Sequence, residues 1–347
     1  MAHSFLEQEI LEQPEVLDRL LREQWTEAKR IAQSIRRRNP RFVMIAARGS
    51  SDNAARYGQY LFGIANGLPV ALATPSLFTL YSAAPCLEQS LVVGISQSGQ
   101  SPDIVTVVEE GRHQGALTVA ITNSPDSPLA SAAEYVLWLN AGEERSIAAT
   151  KTYTASLLAL AMLSTALRED LTRYRAIETV PESVSQALAL RSTVMLAAQR
   201  YCYANACIVI SRGYNYATAF EIALKLKELA YMLAEPYSSA DFQHGPVALI
   251  ERGFPVIGIV PEGQVREELV DFINRLKQQE AELIIVSACE EALALAQMRL
   301  PLPEGLPEWL SPLVAVVPGQ LLSMGITVSK GLDPDHPRGL RKVTRTR

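Results

Sequence analysis

The residues best suited to chemistry in this sequence sit in one short segment, Ser96-Gln97-Ser98-Gly99-Gln100-Ser101-Pro102-Asp103. It follows the apolar run from Leu91 to Ile95 and precedes a helical stretch. Ligands of open α/β sheets bind where strands end. A helix N-terminus at that place offers unpaired N–H groups and a partial positive charge. Serine hydroxyls add donors, so the segment suits a phosphate dianion without a nearby lysine. A capping turn is the competing reading, because Ser, Gly and Pro are also common at helix starts. A second serine pair, Ser50 and Ser51, follows the apolar run 42–47. Neighbouring strand ends converge at a switch point, so both segments are expected to reach one ligand.

A second constellation lies on residues 215–233, which read as a helix that is apolar nearly all round. Glu221, Lys225 and Glu228 interrupt it at i, i+4 and i+7, within roughly 60° of one another on the helix surface. Two readings are open. The stripe is either a solvated strip whose ion pairs contribute only ~0.2–0.5 kcal/mol each, or the wall of a polar cavity. In a cavity, a carboxylate beside an ammonium can shuttle a proton next to a carbonyl. His244 stands in a Gly/Pro-bounded loop, where a lone histidine is either structural or exposed. The tail from Asp333 to Lys342 is too rich in proline to be helical throughout.

The elements around these residues alternate. Residues 5–38 read as helical, with a basic end at Arg36, Arg37 and Arg38 that suits a helix C-terminus. Strand-like runs are expected at 42–47, 69–74, 90–96, 116–122 and 134–139, with helical stretches between most of them. Long helices are expected at 151–168 and 179–200. The pattern then resumes with strands at 206–211, 254–260 and 282–287 and helices at 215–233 and 264–279. Such alternation predicts an α/β fold with parallel sheets covered on both faces.

The second half repeats the first. Arg48-Gly49 matches Arg212-Gly213 at an offset of 164 residues, and Gly94, Gly99 and Gln100 match Gly258, Gly263 and Gln264 at the same offset. The run 119–121 is expected on 283–285. This predicts one domain used twice, with boundaries at 1–175 and 176–330 and a tail at 331–347. The copies differ where it matters. Positions 96–98 are Ser-Gln-Ser, whereas 260–262 are Val-Pro-Glu. Both copies need a turn there, so turn chemistry alone does not call for the serines. The first copy is expected to hold the anion.

Composition limits the class. The 347 residues are 48% hydrophobic with a net charge of −5, which excludes a disordered chain and argues against a nucleic-acid binder. No basic n-region with an apolar h-region opens the chain, and the apolar run 155–167 is too short to span a bilayer. Cys86, Cys202, Cys207 and Cys289 form no CxxC pair and no metal-ligand cluster, which fits a reduced, cytoplasmic protein with no metal site.

Six segments taken in order resemble the sugar isomerase (SIS) domain family, in particular the double-SIS isomerase half of glucosamine-6-phosphate synthase and its stand-alone deaminase and deglycase relatives. They are Arg48-Gly49-Ser50-Ser51, Ile95-Ser96-Gln97-Ser98-Gly99, Ala148-Ala149-Thr150-Lys151, Ala223-Leu224-Lys225-Leu226-Lys227-Glu228, His244-Gly245-Pro246 and Asp335-His336-Pro337-Arg338. The resemblance implies two flavodoxin-like modules, each with a five-stranded parallel sheet. It assigns sugar-phosphate binding to Ser51, Ser96, Gln97, Ser98 and Ser101, and backbone contact with the sugar to Ile147 and Ala148. It makes Glu228 the carboxylate that moves a proton between C1 and C2, with Lys225 and Glu221 as its charged neighbours. It makes His244 a ring-opening residue supplied across a homodimer, and Lys342 a tail lysine that contacts the open-chain sugar and can form an imine with a ketose.

Two positions depart from the family. Ala2 stands where the synthase's glutaminase carries its cysteine, and the length is expected to leave no room for that domain. Ala149 replaces a small hydroxyl residue near the sugar. The expected activity is therefore conversion of glucosamine 6-phosphate and water to fructose 6-phosphate and ammonia, with no metal or organic cofactor. A fructosamine-6-phosphate deglycase and a galactosamine-6-phosphate deaminase/isomerase are the enzymatic alternatives, and a sugar-phosphate sensor the non-enzymatic one.

Overall fold

The computed structural model describes residues 4–342. Ala2 and the tail beyond Lys342 lie outside the described residues. Among the described residues, ten strands form two parallel sheets. The first contains β1 (Phe42–Ala46), β2 (Val70–Leu72), β3 (Ser90–Ser96), β4 (Leu117–Thr122) and β5 (Tyr135–Trp138), in the order β2-β1-β3-β4-β5. The second contains β6 (Ala206–Ser211), β7 (Leu233–Ser238), β8 (Pro255–Val260), β9 (Glu282–Ser287) and β10 (Met298–Pro301), in the order β7-β6-β8-β9-β10. The two orders are the same, and both are flavodoxin-like. Every residue of β3, β4 and β8 is buried. Helices on both faces make that possible, and it explains the unbroken apolar runs at these strands.

The duplication extends to register. Met44 pairs with Val92 in the first sheet and Ile208 with Val256 in the second; Ala46 pairs with Gly94, and Ile210 with Gly258. These pairs keep the 164-residue offset. The next strand corrects the expectation by one residue: Ala120 pairs with Gly94, but Ile285 pairs with Gly258. One extra residue therefore enters the second copy between β8 and β9, and 119–121 fall on 284–286.

The chain divides into two compact units. The first module comprises residues 15–144, 151–178 and 341–342 and carries the first sheet. Its core includes Val92, Ile104, Val107, Val108, Ala120 and Leu129. The second module comprises 4–14, 145–150 and 179–340 and carries the second sheet. Ile208, Ile210, Phe242, Phe272, Ile273 and Ile285 belong to its core.

Several expected elements end differently. The helix expected over 5–38 is two helices, Phe5–Leu11 and Gln13–Arg38. Pro14 explains the break, since it lacks an N–H and crowds the preceding turn. The stretch 179–200 is likewise two helices, Val180–Leu188 and Arg191–Tyr201. The helix expected over 215–233 stops at Ala230, because Tyr231 turns left-handed at φ 53° and donates its N–H to Leu226 O. Leu233 instead opens β7. Both β7 and β10 are edge strands that the apolar pattern did not reveal, and each carries a proline, which only an edge tolerates well. The helix Ser311–Ser329 was also not expected. The segment Glu308–Ser329 is long and apolar enough to cross a membrane, yet 94% of its 18-residue apolar window is buried within the protein.

Candidate functional site

In the first module, the switch point lies between β1 and β3. Two helices start at that edge, Ser50–Asn66 after β1 and Pro102–His113 after β3. The connecting segment after β3 is tightly braced. Ser96 Oγ accepts the Gly99 N–H at 3.1 Å, Gln97 O accepts the Asn123 N–H at 3.1 Å, and Gly99 O accepts the Leu129 N–H at 3.1 Å. Gly99 has φ +62°, and a Cβ there would collide with Ser127 Oγ. Only glycine fits.

Ser127 and Ser238 cap their helices through their hydroxyls. Ser101 occupies the N-cap position of Pro102–His113, but its side chain makes no capping bond. Ser98 Oγ accepts only a long 3.3 Å bond from the Gln100 N–H among the bonds seen at it. Ser50 and Ser51 open the other helix, whose N-cap is Gly49. Ser101 thus sits at one helix N-terminus without capping it, and Ser50 and Ser51 open the neighbouring helix, an arrangement suited to an anion.

Arg48 adds a cation that sequence reasoning missed. Its Nε donates to Asp103 Oδ2 at 2.8 Å, and Asp103 is fully buried while Arg48 is half exposed. Asp52, in the first turn after the serine pair, lies 3.2 Å from Arg56. Burial still pushes its carboxyl above the ordinary value.

The second module provides an internal comparison. Arg212 pairs with Glu268 at 3.3 Å across the switch point of β6 and β8, much as Arg48 pairs with Asp103. The position matching Ser51 is Asn215, which is buried and spent on Ser311 and Thr218. The Glu308 carboxylate occupies the cradle itself. Its Oε2 accepts the Gln264 N–H at 2.7 Å, and a Cβ on Gly263 would overlap it. A Cβ on Gly49 in the first module would meet nothing within 4 Å, whereas one on the matching Gly213 would lie 3.4 Å from Glu308 Oε1. In the second copy Glu308 fills the space that stays open beside Gly49 in the first.

The charged stripe lies on the helix Tyr216–Ala230, also in the second module. It is not a solvated strip. Glu221 is 0% and Lys225 1% exposed, and Lys225 Nζ lies 3.5 Å from Glu221 Oε1 and 2.6 Å from Glu228 Oε2. Glu228 alone opens outward, with a quarter of its side chain exposed. It lines a cavity of about 260 Å³ with Lys227, Tyr231, Arg338 and Leu340. The tail wall of that cavity is fixed to Tyr231: the Arg338 N–H donates to its hydroxyl at 2.7 Å, and the Arg338 guanidinium lies 4.1 Å from its ring centre.

His244 lies in an exposed loop of the second module, in the turn after Ser239–Phe242. The segment carrying Ile147 and Ala148 belongs to the same module. Glu9, 3% exposed on the first helix, holds it: its carboxylate accepts from the Arg145 and Ser146 N–H groups and the Ser146 hydroxyl. Sequence reasoning missed Glu9, although a signal existed. Leu6, Glu9, Ile10 and Gln13 follow i, i+3, i+4, i+7 spacing and are all buried. The tail is tied to that helix as well, because Asp335 accepts from the Phe5 and Leu6 N–H groups at 2.9 and 2.8 Å. In the first module, Lys342 Nζ lies 2.7 Å from Glu144 Oε2. Among the described residues, no group of three or more His, Cys, Asp or Glu side chains is arranged to hold a metal ion.

Comparison with known proteins bears directly on these features. The SIS domain profile matches residues 37–166 and 203–324, one match over each sheet. Glutamine--fructose-6-phosphate aminotransferase [isomerizing] from Pyrococcus horikoshii is 33% identical over 344 residues, covering 97% of this chain and 57% of that protein. The chain thus spans little more than half the length of this curated relative. A candidate phosphosugar isomerase from Silicibacter pomeroyi DSS-3 is 33% identical with a TM-score of 0.87, covering 96% of this chain and all of that one. The C-terminal domain of glucosamine-fructose-6-phosphate aminotransferase from Francisella tularensis is 26% identical with a TM-score of 0.88, covering 97% and 99%. The chain belongs to the SIS domain family, with one copy of the domain on each sheet.

Proposed function

We propose that the protein is an aminosugar-phosphate deaminase/isomerase that converts glucosamine 6-phosphate and water to fructose 6-phosphate and ammonia. The phosphate rests on Ser51, Ser96, Gln97, Ser98 and Ser101, with Ser50 beside them. The backbone of Ile147 and Ala148 contacts the sugar. His244 assists ring opening, acting across a homodimer. Glu228 takes the C2 proton of the open-chain aldose and returns it at C1, which leaves an imine at C2. Water adds to that imine and ammonia departs. The C1 carbonyl already acidifies the C2–H bond, so the scheme draws on no metal or organic cofactor. Holding substrate and base together can supply ~7–11 kcal/mol of the barrier through positioning alone.

One observation carries the reading. Glu228 lines a cavity and is the most exposed member of the stripe, and buried Lys225 holds it at 2.6 Å. A carboxylate fixed beside an ammonium and open to a cavity is suited to moving a proton. The serine edge supports the phosphate half, because the matching edge of the second copy is blocked by Glu308.

A second reading is aldose–ketose isomerisation of a phosphosugar without loss of an amine. The similarity to the Silicibacter pomeroyi protein over the full length of both chains favours it. One panel separates the two: ammonia release and sugar interconversion, measured with glucosamine, galactosamine, fructosamine and neutral hexose 6-phosphates. Ammonia from a hexosamine phosphate supports the first reading. Interconversion of neutral sugar phosphates alone selects the second, and binding without turnover identifies a sensor.

A further inference from the structure

We propose that Glu144 is the positioning residue of the tail lysine, docking Lys342 as an ammonium on the first module. The inference rests on the reading that Lys342 contacts the open-chain sugar. Glu144 is not among the residues assigned above to the substrate, yet it is 0% exposed and fully engaged. Its Oε1 accepts the Thr152 N–H at 3.1 Å. Its Oε2 accepts the Thr152 hydroxyl at 2.8 Å and the Lys342 ammonium at 2.7 Å.

Thr152 lies in the first turn of Lys151–Arg168, an 18-residue helix whose N-terminal half is buried. Its N–H and the helix dipole therefore favour the charged carboxylate. A carboxylate removed from water needs a countercharge, and Lys342 supplies one. The benefit runs the other way too. A lysine side chain has many rotamers open to it, and a rigid anion selects one of them. Lys342 remains a quarter exposed, so its ammonium is held without being sealed off. Docked in this way it is a cation and hydrogen-bond donor. Imine formation requires that it first leave Glu144 and lose a proton to solvent. Its amine then attacks the ketose C2 carbonyl, and water leaves.

The test is a double-mutant cycle on the full chain with Glu144→Gln, Lys342→Met and both, read by two measurements. The first is trypsin cleavage at the tail, followed by intact mass. Glu144→Gln keeps an acceptor for Thr152 but loses the charge, so cleavage after Arg341 and Lys342 is expected to accelerate at least fivefold. Lys342→Met is expected to accelerate cleavage after Arg341 equally, which keeps the test valid if Glu144→Gln folds poorly. The second is ammonia release from glucosamine 6-phosphate. Each single variant is expected to lose activity, and the double variant to be no slower than Lys342→Met. Unchanged cleavage, or losses that multiply in the double variant, would overturn the inference. Should the unaltered protein release no ammonia from any substrate, the functional reading fails, and cleavage alone decides whether Glu144 docks the tail.

Discussion

Lys225 Nζ lies between two carboxylates of its own helix, 2.6 Å from Glu228 Oε2 and 3.5 Å from Glu221 Oε1. The two carboxylates differ in environment, since Glu221 is fully buried and Glu228 is a quarter exposed. Lys225 therefore serves a buried carboxylate on one side and a more exposed one on the other. It neutralises a charge that the fold has taken out of water, and it fixes the side chain that faces the cavity.

Removing that countercharge is expected to be costly. Lys225→Met leaves the buried Glu221 without this partner, which predicts a loss of about 3–5 kcal/mol in urea unfolding. Adding Glu221→Gln to Lys225→Met is expected to recover part of the loss. A Lys225→Met protein as stable as its parent would show that the pair contributes nothing to the fold.

At the serine edge, binding and stability separate. Ser98→Ala removes a hydroxyl from the rim, and inorganic phosphate is expected to bind about tenfold more weakly with no change in Tm, as for one hydrogen bond to a charged ligand. Gly99→Ala forces a Cβ against Ser127 at a left-handed backbone position. It is expected to lower both phosphate affinity and Tm. Calorimetric titration and thermal melts of the two variants check the distinction.

The parts of this arrangement that could be read before the fold was known are those carried by short-range pattern. The apolar runs of β1, β3, β4, β6, β8 and β9 announce themselves because both sheet faces are covered. The shared offset of Arg48-Gly49 and Arg212-Gly213 exposed the duplication. The edge strands β7 and β10 did not announce themselves, because an edge tolerates Pro236, Arg299 and Pro301. The stripe of Glu221, Lys225 and Glu228 was visible as spacing, but its burial was not, since helix periodicity cannot say what lies opposite a face. Glu144, Glu308 and the Arg48–Asp103 pair act through partners distant in sequence. No local pattern marks such residues.

Stoichiometry tests the asymmetry between the copies. Glu308 already satisfies the second cradle. The protein is therefore expected to bind one inorganic phosphate per chain by equilibrium dialysis, and two would contradict the asymmetry.

Thiol reactivity follows burial. Burial pushes the Cys207 thiol up to about 12, so it stays protonated well above neutral pH. Cys289 is also buried, whereas Cys86 is exposed. At pH 8 a thiol reagent is expected to label Cys86 first and to leave Cys207 and Cys289 intact until the protein unfolds. Peptide mapping after a short pulse checks this, and early labelling of Cys207 would contradict the packing around β6.

The most direct test of the central claim is ammonia release from glucosamine 6-phosphate by the parent protein and by Glu228→Gln. A positioned general base contributes roughly 10²–10⁴-fold in rate. The variant is therefore expected to be slower by that factor, while still binding the sugar phosphate and melting at the same temperature. Turnover within a few-fold of the parent would show that Glu228 does not carry the proton.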